Sequence, residues 1–98
     1  MERKVIWNKN AVDYLSESLI YISQTSSFQA ENVENGIMEK IYGLLNNPER
    51  YPIDKFKKNN PGNYRAFETH SYRVAYHYTE TQIEILRIRH VRQEPKSH

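Results

Sequence analysis

Ninety-eight residues with 38% hydrophobic and 27% charged side chains set the scale of one small domain with an economical core. Eight tyrosines within a 12% aromatic content exclude a disordered chain, and the absence of cysteine excludes a disulfide framework and thiolate metal sites. The net charge of +2 conceals an asymmetry: from Lys55 onward nine Lys or Arg face four acids, so the C-terminal half is the side suited to an anionic partner.

The opening ERKVIW alternates and predicts a first strand. It carries no apolar signal-peptide core, and no run approaches a membrane span, so a cytoplasmic protein without membrane association is expected. Asn8 or Asn10 caps the helix that follows, since an Asn side chain accepts from the free amides of a first turn. Val12, Leu15, Leu19 and Ile22 recur at spacings of three and four and predict its apolar stripe. Thr25-Ser26-Ser27 ends that helix and caps the next, whose stripe is Ala30, Val33, Ile37, Ile41 and Leu44. The second helix stops at Asn46-Asn47-Pro48, because proline disfavours a helical residue before it. The two form an antiparallel helical hairpin.

PERYPIDKFKKNNPGN holds three prolines and a lysine cluster and reads as a loop with little regular structure. Three strands follow, near 63–69, 71–79 and 82–91. His70-Ser71 and Glu80-Thr81 are short enough to be hairpin connections, giving an antiparallel meander. No repeat or linker divides the chain, so residues 1–98 are expected to form one domain.

Two helices cover one side of such a sheet and leave the other to solvent or a partner. Alternation sends Val74, Tyr76 and Tyr78 towards the helices and Arg73, Ala75 and His77 the other way. Arg65 and Phe67 share a face, and both Arg65 and Arg73 are expected on the uncovered side. In the last strand Ile83 and Ile85 set one phase, while Leu86, Ile88 and His90 follow in the opposite phase. A one-residue bulge near Ile85-Leu86 reconciles the two, as does burial on both faces. With the bulge, Ile83, Ile85, Leu86 and Ile88 all reach the core, and Arg87 and Arg89 face outward.

The order strand, helical hairpin, proline-rich loop and meander, carried by VIWNKNAVDYL, NNPERYPIDKFK, NYRAFETHSYRVAYHY and ILRIRHVRQEP, resembles the RelE/ParE superfamily of toxins over nearly the whole chain. The resemblance implies an α+β fold, in which the N-terminal strand and helical hairpin pack on one face of a twisted antiparallel sheet. It also implies a type II toxin–antitoxin module, with a cognate antitoxin as partner and no cofactor. RelE-like members cut mRNA on the ribosome; ParE-like members poison DNA gyrase without nuclease residues.

For the nuclease reading, metal-free cleavage activates a ribose 2′-hydroxyl and needs a base, an acid and cations over the charge growing on phosphorus. The resemblance then assigns Arg73 to the phosphate, His90 to proton transfer and Arg92 to a basic position. His98 stands about where several nucleases carry a tyrosine, a departure from the pattern. Lys57, Lys58, Arg65, Arg89 and His98 are the candidate contacts to nucleic acid or partner. The alternatives are a solvated Arg73 supported by tyrosines and an edge carboxylate, a His90 that makes one structural hydrogen bond, and plain soluble loop lysines. His70, His77, His90 and His98 have no ligand-like spacing, so no metal site is expected, and three scattered glycines make no phosphate loop.

Overall fold

The computed structural model describes residues 3–93 and contains β1 (Lys4–Trp7), α1 (Lys9–Ser23), α2 (Ser27–Gly43), β2 (Tyr64–Thr69), β3 (Tyr72–Tyr78) and β4 (Gln82–His90). The α+β architecture implied by the sequence is present. Asn8 Oδ1 accepts from the Asn10 amide at 2.9 Å and Ser26 Oγ from the Gln29 amide at 3.1 Å, so each helix starts at a side-chain cap. Such a cap is worth about 1 kcal/mol. Neither helix is long and apolar enough to cross a membrane among the described residues.

The sheet order is β1-β4-β3-β2. β2, β3 and β4 form the expected antiparallel meander, but β1 lies parallel to β4, so the sheet as a whole is mixed. The chain leaves β1, builds the hairpin and the meander, and returns with β4 as the strand that fills the place beside β1. β1 therefore forms one edge.

Leu15 of α1 and Ile37, Ile41 and Leu44 of the second helical stripe close over Val74, Tyr76, Ile83, Ile85 and Ile88. The first stripe is the predicted one except at its first position, where Ala11 takes the place of Val12. Ala11 and Leu15 are buried, Leu19 and Ile22 half-buried, and Val12 is 40% exposed. A small side chain at position 11 lets the start of α1 lie close to β4, which turns Val12 outward.

The β4 bulge is real. Ala75 pairs with Arg87 and Tyr76 with Ile85, which leaves Leu86 as the extra residue. Three isoleucines on both sides of the phase break thereby reach the core. Leu86 itself does not join the buried cluster; it is half-buried in a cleft against Asn8, Ala11 and Tyr14.

His70 and Ser71 make the β2–β3 turn with φ of 52° and 68°, the double left-handed geometry of a tight hairpin turn usually given to Asn-Gly. The His70 ring packs against Gly36 of α2, where a Cβ would overlap its Cε1 and Nδ1. Glycine at 36 is what allows helix and hairpin to approach.

The segment between α2 and β2 is more ordered than its composition implies. Asp54 N donates to Tyr64 O at 2.9 Å and Ala66 N to Pro52 O at 3.2 Å, and Ile53 bridges to Arg65, so 52–54 runs along the outer edge of β2. The Tyr76 hydroxyl donates to Pro48 O at 2.6 Å within the core, and burial pushes its phenol up from the ordinary tyrosine value.

Candidate functional site

Register decides which arginines share a face. Residues directly opposite in an antiparallel pair point the same way. Glu68 lies opposite Arg73, and Arg73 opposite Arg89, so these three occupy the face away from the helices. Arg65 lies opposite Tyr76, a core residue, and so stands on the helix side. The expectation that Arg65 and Arg73 share the uncovered face is thus corrected. The two-residue turn fixes this: Arg65 falls an odd number of steps from the partner of Arg73. Its guanidinium turns to the loop, donating to Gly62 O at 3.1 Å, Tyr51 O at 2.8 Å and Glu49 O at 3.3 Å.

Nor is the far face bare. Ala66 and Ala75, opposite each other on it, are buried. Beyond Asp54 the loop curls over this face and sets Phe56 against both arginines, with guanidinium carbons 4.9 Å (Arg73) and 5.4 Å (Arg89) from the ring centre. Arg73 Nη2 donates to Asp54 Oδ1 at 2.9 Å and Nη1 to Glu68 Oε2 at 3.2 Å. The Arg73 side chain is only 12% exposed and that of Asp54 1%. Like charges directly opposite across strands repel. Here the two carboxylates and the ring face offset that repulsion, and Arg73 is largely covered and doubly paired instead of solvated.

His90 lies opposite Tyr72, a buried residue of the core, and so belongs to the helix side, with its ring edge-on to Tyr72 at 5.3 Å. Its Nδ1 accepts from the Arg92 amide at 3.1 Å, which leaves the proton of the neutral ring on Nε2. Its own amide donates to the Tyr14 hydroxyl at 2.9 Å, tying the end of β4 to α1. Arg92 is exposed on the turn that follows. The fold therefore joins Arg73 with Arg89 and sets His90 on the opposite face of the sheet, with the Arg92 backbone held beside it.

Among the other candidates, Arg89 Nη1 donates to Gln93 O at 3.1 Å. Lys57 Nζ stands 4.7 Å over the Tyr64 ring, and Lys58 is exposed. His98 lies outside the described residues. Sequence reasoning missed Asp54 and Phe56. The available signal was an acid and an aromatic ring, two residues apart, in a stretch rich in lysines, prolines and amides.

A second surface emerges on the hairpin. Trp7, Val12, Leu19, Glu34 and Met38 line a furrow beside the free edge of the sheet, which continues past Ile20 and Ala30 towards the hairpin tip. Ile20, Tyr21 and Phe28 near that tip are 62%, 75% and 70% exposed, so apolar side chains stand open to solvent there.

A family model described as the ParE toxin of the type II toxin–antitoxin system, parDE, matches residues 5–95. The chain belongs to the ParE toxin family. No curated protein matches it. As a ParE-family toxin it is the toxin component of a type II system, and membership implies an antitoxin as partner. The match covers β1, the hairpin, the loop and the meander, so the loop that carries Asp54 and Phe56 lies within the family's own span.

Proposed function

We propose that this ParE-family toxin arrests growth by binding and inhibiting DNA gyrase, and that it does not cut mRNA. The observation that carries the reading is the separation of Arg73 from His90, two of the residues a nuclease would need. Arg73 is neutralised by Asp54 and Glu68, and His90 projects from the other side of the sheet. Stabilising a growing phosphorane charge calls for a donor aimed at empty space near the acid and base. A guanidinium already held by a buried carboxylate at 2.9 Å does not offer that. Binding makes no such demand, and the ParE description of the family favours the gyrase reading. Gyrase and its DNA place the action in the cytoplasm. The antitoxin has two surfaces open to it: the exposed cations of the loop, and the apolar furrow of the hairpin.

The deciding experiment expresses the toxin without its antitoxin and follows two readouts in parallel. Purified gyrase should lose supercoiling activity while mRNA in a translating extract stays intact. Ribosome-bound mRNA cut by the pure protein, with gyrase unaffected, would overturn the proposal and return Arg73, His90 and Arg92 to a catalytic role.

A further inference from the structure

The sheet arginines are bonded within the fold, whereas the lysines of the loop before β2 are held out from it. Residues 54–60, DKFKKNN, are fixed by two polar side chains. Asp54 Oδ1 accepts from the Phe56 amide at 3.0 Å and Asp54 O from the Lys57 amide at 3.2 Å, which closes a turn around Lys55 and Phe56. Asn59 follows with φ of 53°, a left-handed geometry that Asn tolerates. Asn60 then accepts from the Gly62 amide at 2.8 Å and donates to Tyr64 O at 2.8 Å, fastening the loop to the start of β2.

Rings set the cations in place. Lys57 Nζ stands 4.7 Å over the Tyr64 ring, and Lys55 Nζ 5.2 Å over the Phe56 ring that also carries Arg73 and Arg89. Lys57 donates to Lys58 O at 3.3 Å, a bond within the loop, and Lys58 is exposed. Among the described residues no carboxylate pairs with any of the three lysines, since Asp54 and Glu68 are engaged by Arg73. A fixed loop with three uncompensated cations fits a polyanion. We propose that this loop contacts the DNA backbone, with Lys55, Lys57 and Lys58 each neutralising a phosphate. The target rests on the gyrase reading: gyrase holds a DNA segment, and a toxin that reaches it grips enzyme and substrate together.

The make-up of the surface favours nucleic acid over an acidic protein. Protein interfaces are depleted in lysine and centre on apolar or aromatic anchors. Here Phe56 and Tyr64 are half-buried beneath cations. Ile53 is 53% exposed but bridges to Arg65, and so faces the helix side, away from Phe56. Phosphate contacts need no anchor, only cations held in position. Lysines already resting on rings have less freedom to lose on binding.

Fluorescence anisotropy of the whole toxin on a short labelled DNA duplex, with no gyrase present, tests the contact apart from the target. Neutralising three phosphates gives a log–log slope of affinity against salt of about −2.7, a loss of about fortyfold between about 50 and about 200 mM salt. Lys58→Gln should reduce the slope by about 0.9. Replacing Lys55, Lys57 and Lys58 together by Gln should remove it, and should raise the toxin concentration needed to stop supercoiling. Urea unfolding checks that the variants fold, and Lys58→Gln carries the test by itself if the triple variant does not. A slope near zero, a slope that survives the triple replacement, or an acidic peptide of equal charge bound more tightly than the duplex, would overturn the DNA contact. Wild-type toxin that binds the duplex through these lysines yet leaves gyrase active would uphold the contact and sink the gyrase reading alone.

Discussion

Arg73→Ala is the substitution that the two views of the open face treat most differently. An arginine standing in solvent on an uncovered sheet could be removed at a cost within about 0.5 kcal/mol. The structure gives another figure. Asp54 keeps 1% of its side-chain surface and Arg73 12%, so the pair is a buried one. Removing one partner of a buried pair costs about 3–5 kcal/mol, because the remaining charge stays behind without its counter-ion. Lost stacking on Phe56 adds about 0.5–2 kcal/mol. Small domains have a total of about 5–15 kcal/mol, so the variant is expected to retain its fold with a narrow margin. Urea unfolding reads this directly as a fall in midpoint at constant slope. Arg73→Ala with Asp54→Asn should recover part of the loss, since no uncompensated carboxylate is then buried. The Asn oxygen can still accept from the Phe56 amide, as Asp54 Oδ1 does at 3.0 Å. A loss below about 1 kcal/mol for Arg73→Ala would mean that the pair is solvent-screened and the burial argument wrong. The same magnitude warns against reading lost toxicity of this variant as lost catalysis.

Gly36→Ala normally stabilises a helix by about 1 kcal/mol. Here the added Cβ meets the exposed His70 ring, which must swing aside, so Gly36→Ala should gain less than that, and His70→Ala in the same chain should restore the full gain; thermal unfolding of the four variants checks both. Charge reversal at exposed Lys58 and Arg92 should weaken target binding and its salt dependence while leaving stability within about 0.5 kcal/mol, as titration at two salt concentrations and urea unfolding would show.

Local pattern carried the elements. Both helices, their caps, the three late strands and the bulge were legible because each rests on chemistry a few residues wide: Asn8 and Ser26 at the helix starts, His70-Ser71 at a turn, the phase break at Ile85-Leu86. The position of β1 was not legible. Alternation within KVIW predicts a strand but says nothing about which neighbour it joins or in which direction, since a parallel partner far along the chain leaves no local trace. The first helical stripe missed at one position, Val12, for a related reason. Val12 outranks Ala11 in hydrophobicity, yet the contact with β4 has room only for the smaller side chain.

The site divides in the same way. The face of Arg65 could have been worked out from the sequence, because a two-residue turn at His70-Ser71 pairs it with Tyr76 and no alternation inside one strand can override that. The roof over Arg73 could not. It depends on a loop of prolines, lysines and amides placing Asp54 and Phe56 over strands that follow it, and composition assigned that loop to solvent. Yet the loop is what settles which cations can meet a partner. Arg65 bonds loop carbonyls, Arg73 bonds two carboxylates, and Arg89 bonds the carbonyl of Gln93. Opposite charge and carbonyl oxygen already satisfy much of what a phosphate or acidic side chain would offer these three. Exposed Lys55, Lys58 and Arg92, around the rim, have more to gain from an anion than the arginines at the centre. A basic composition therefore overstates the basic centre of the sheet: the arginines that made it look like a site for anions are those the fold itself has used.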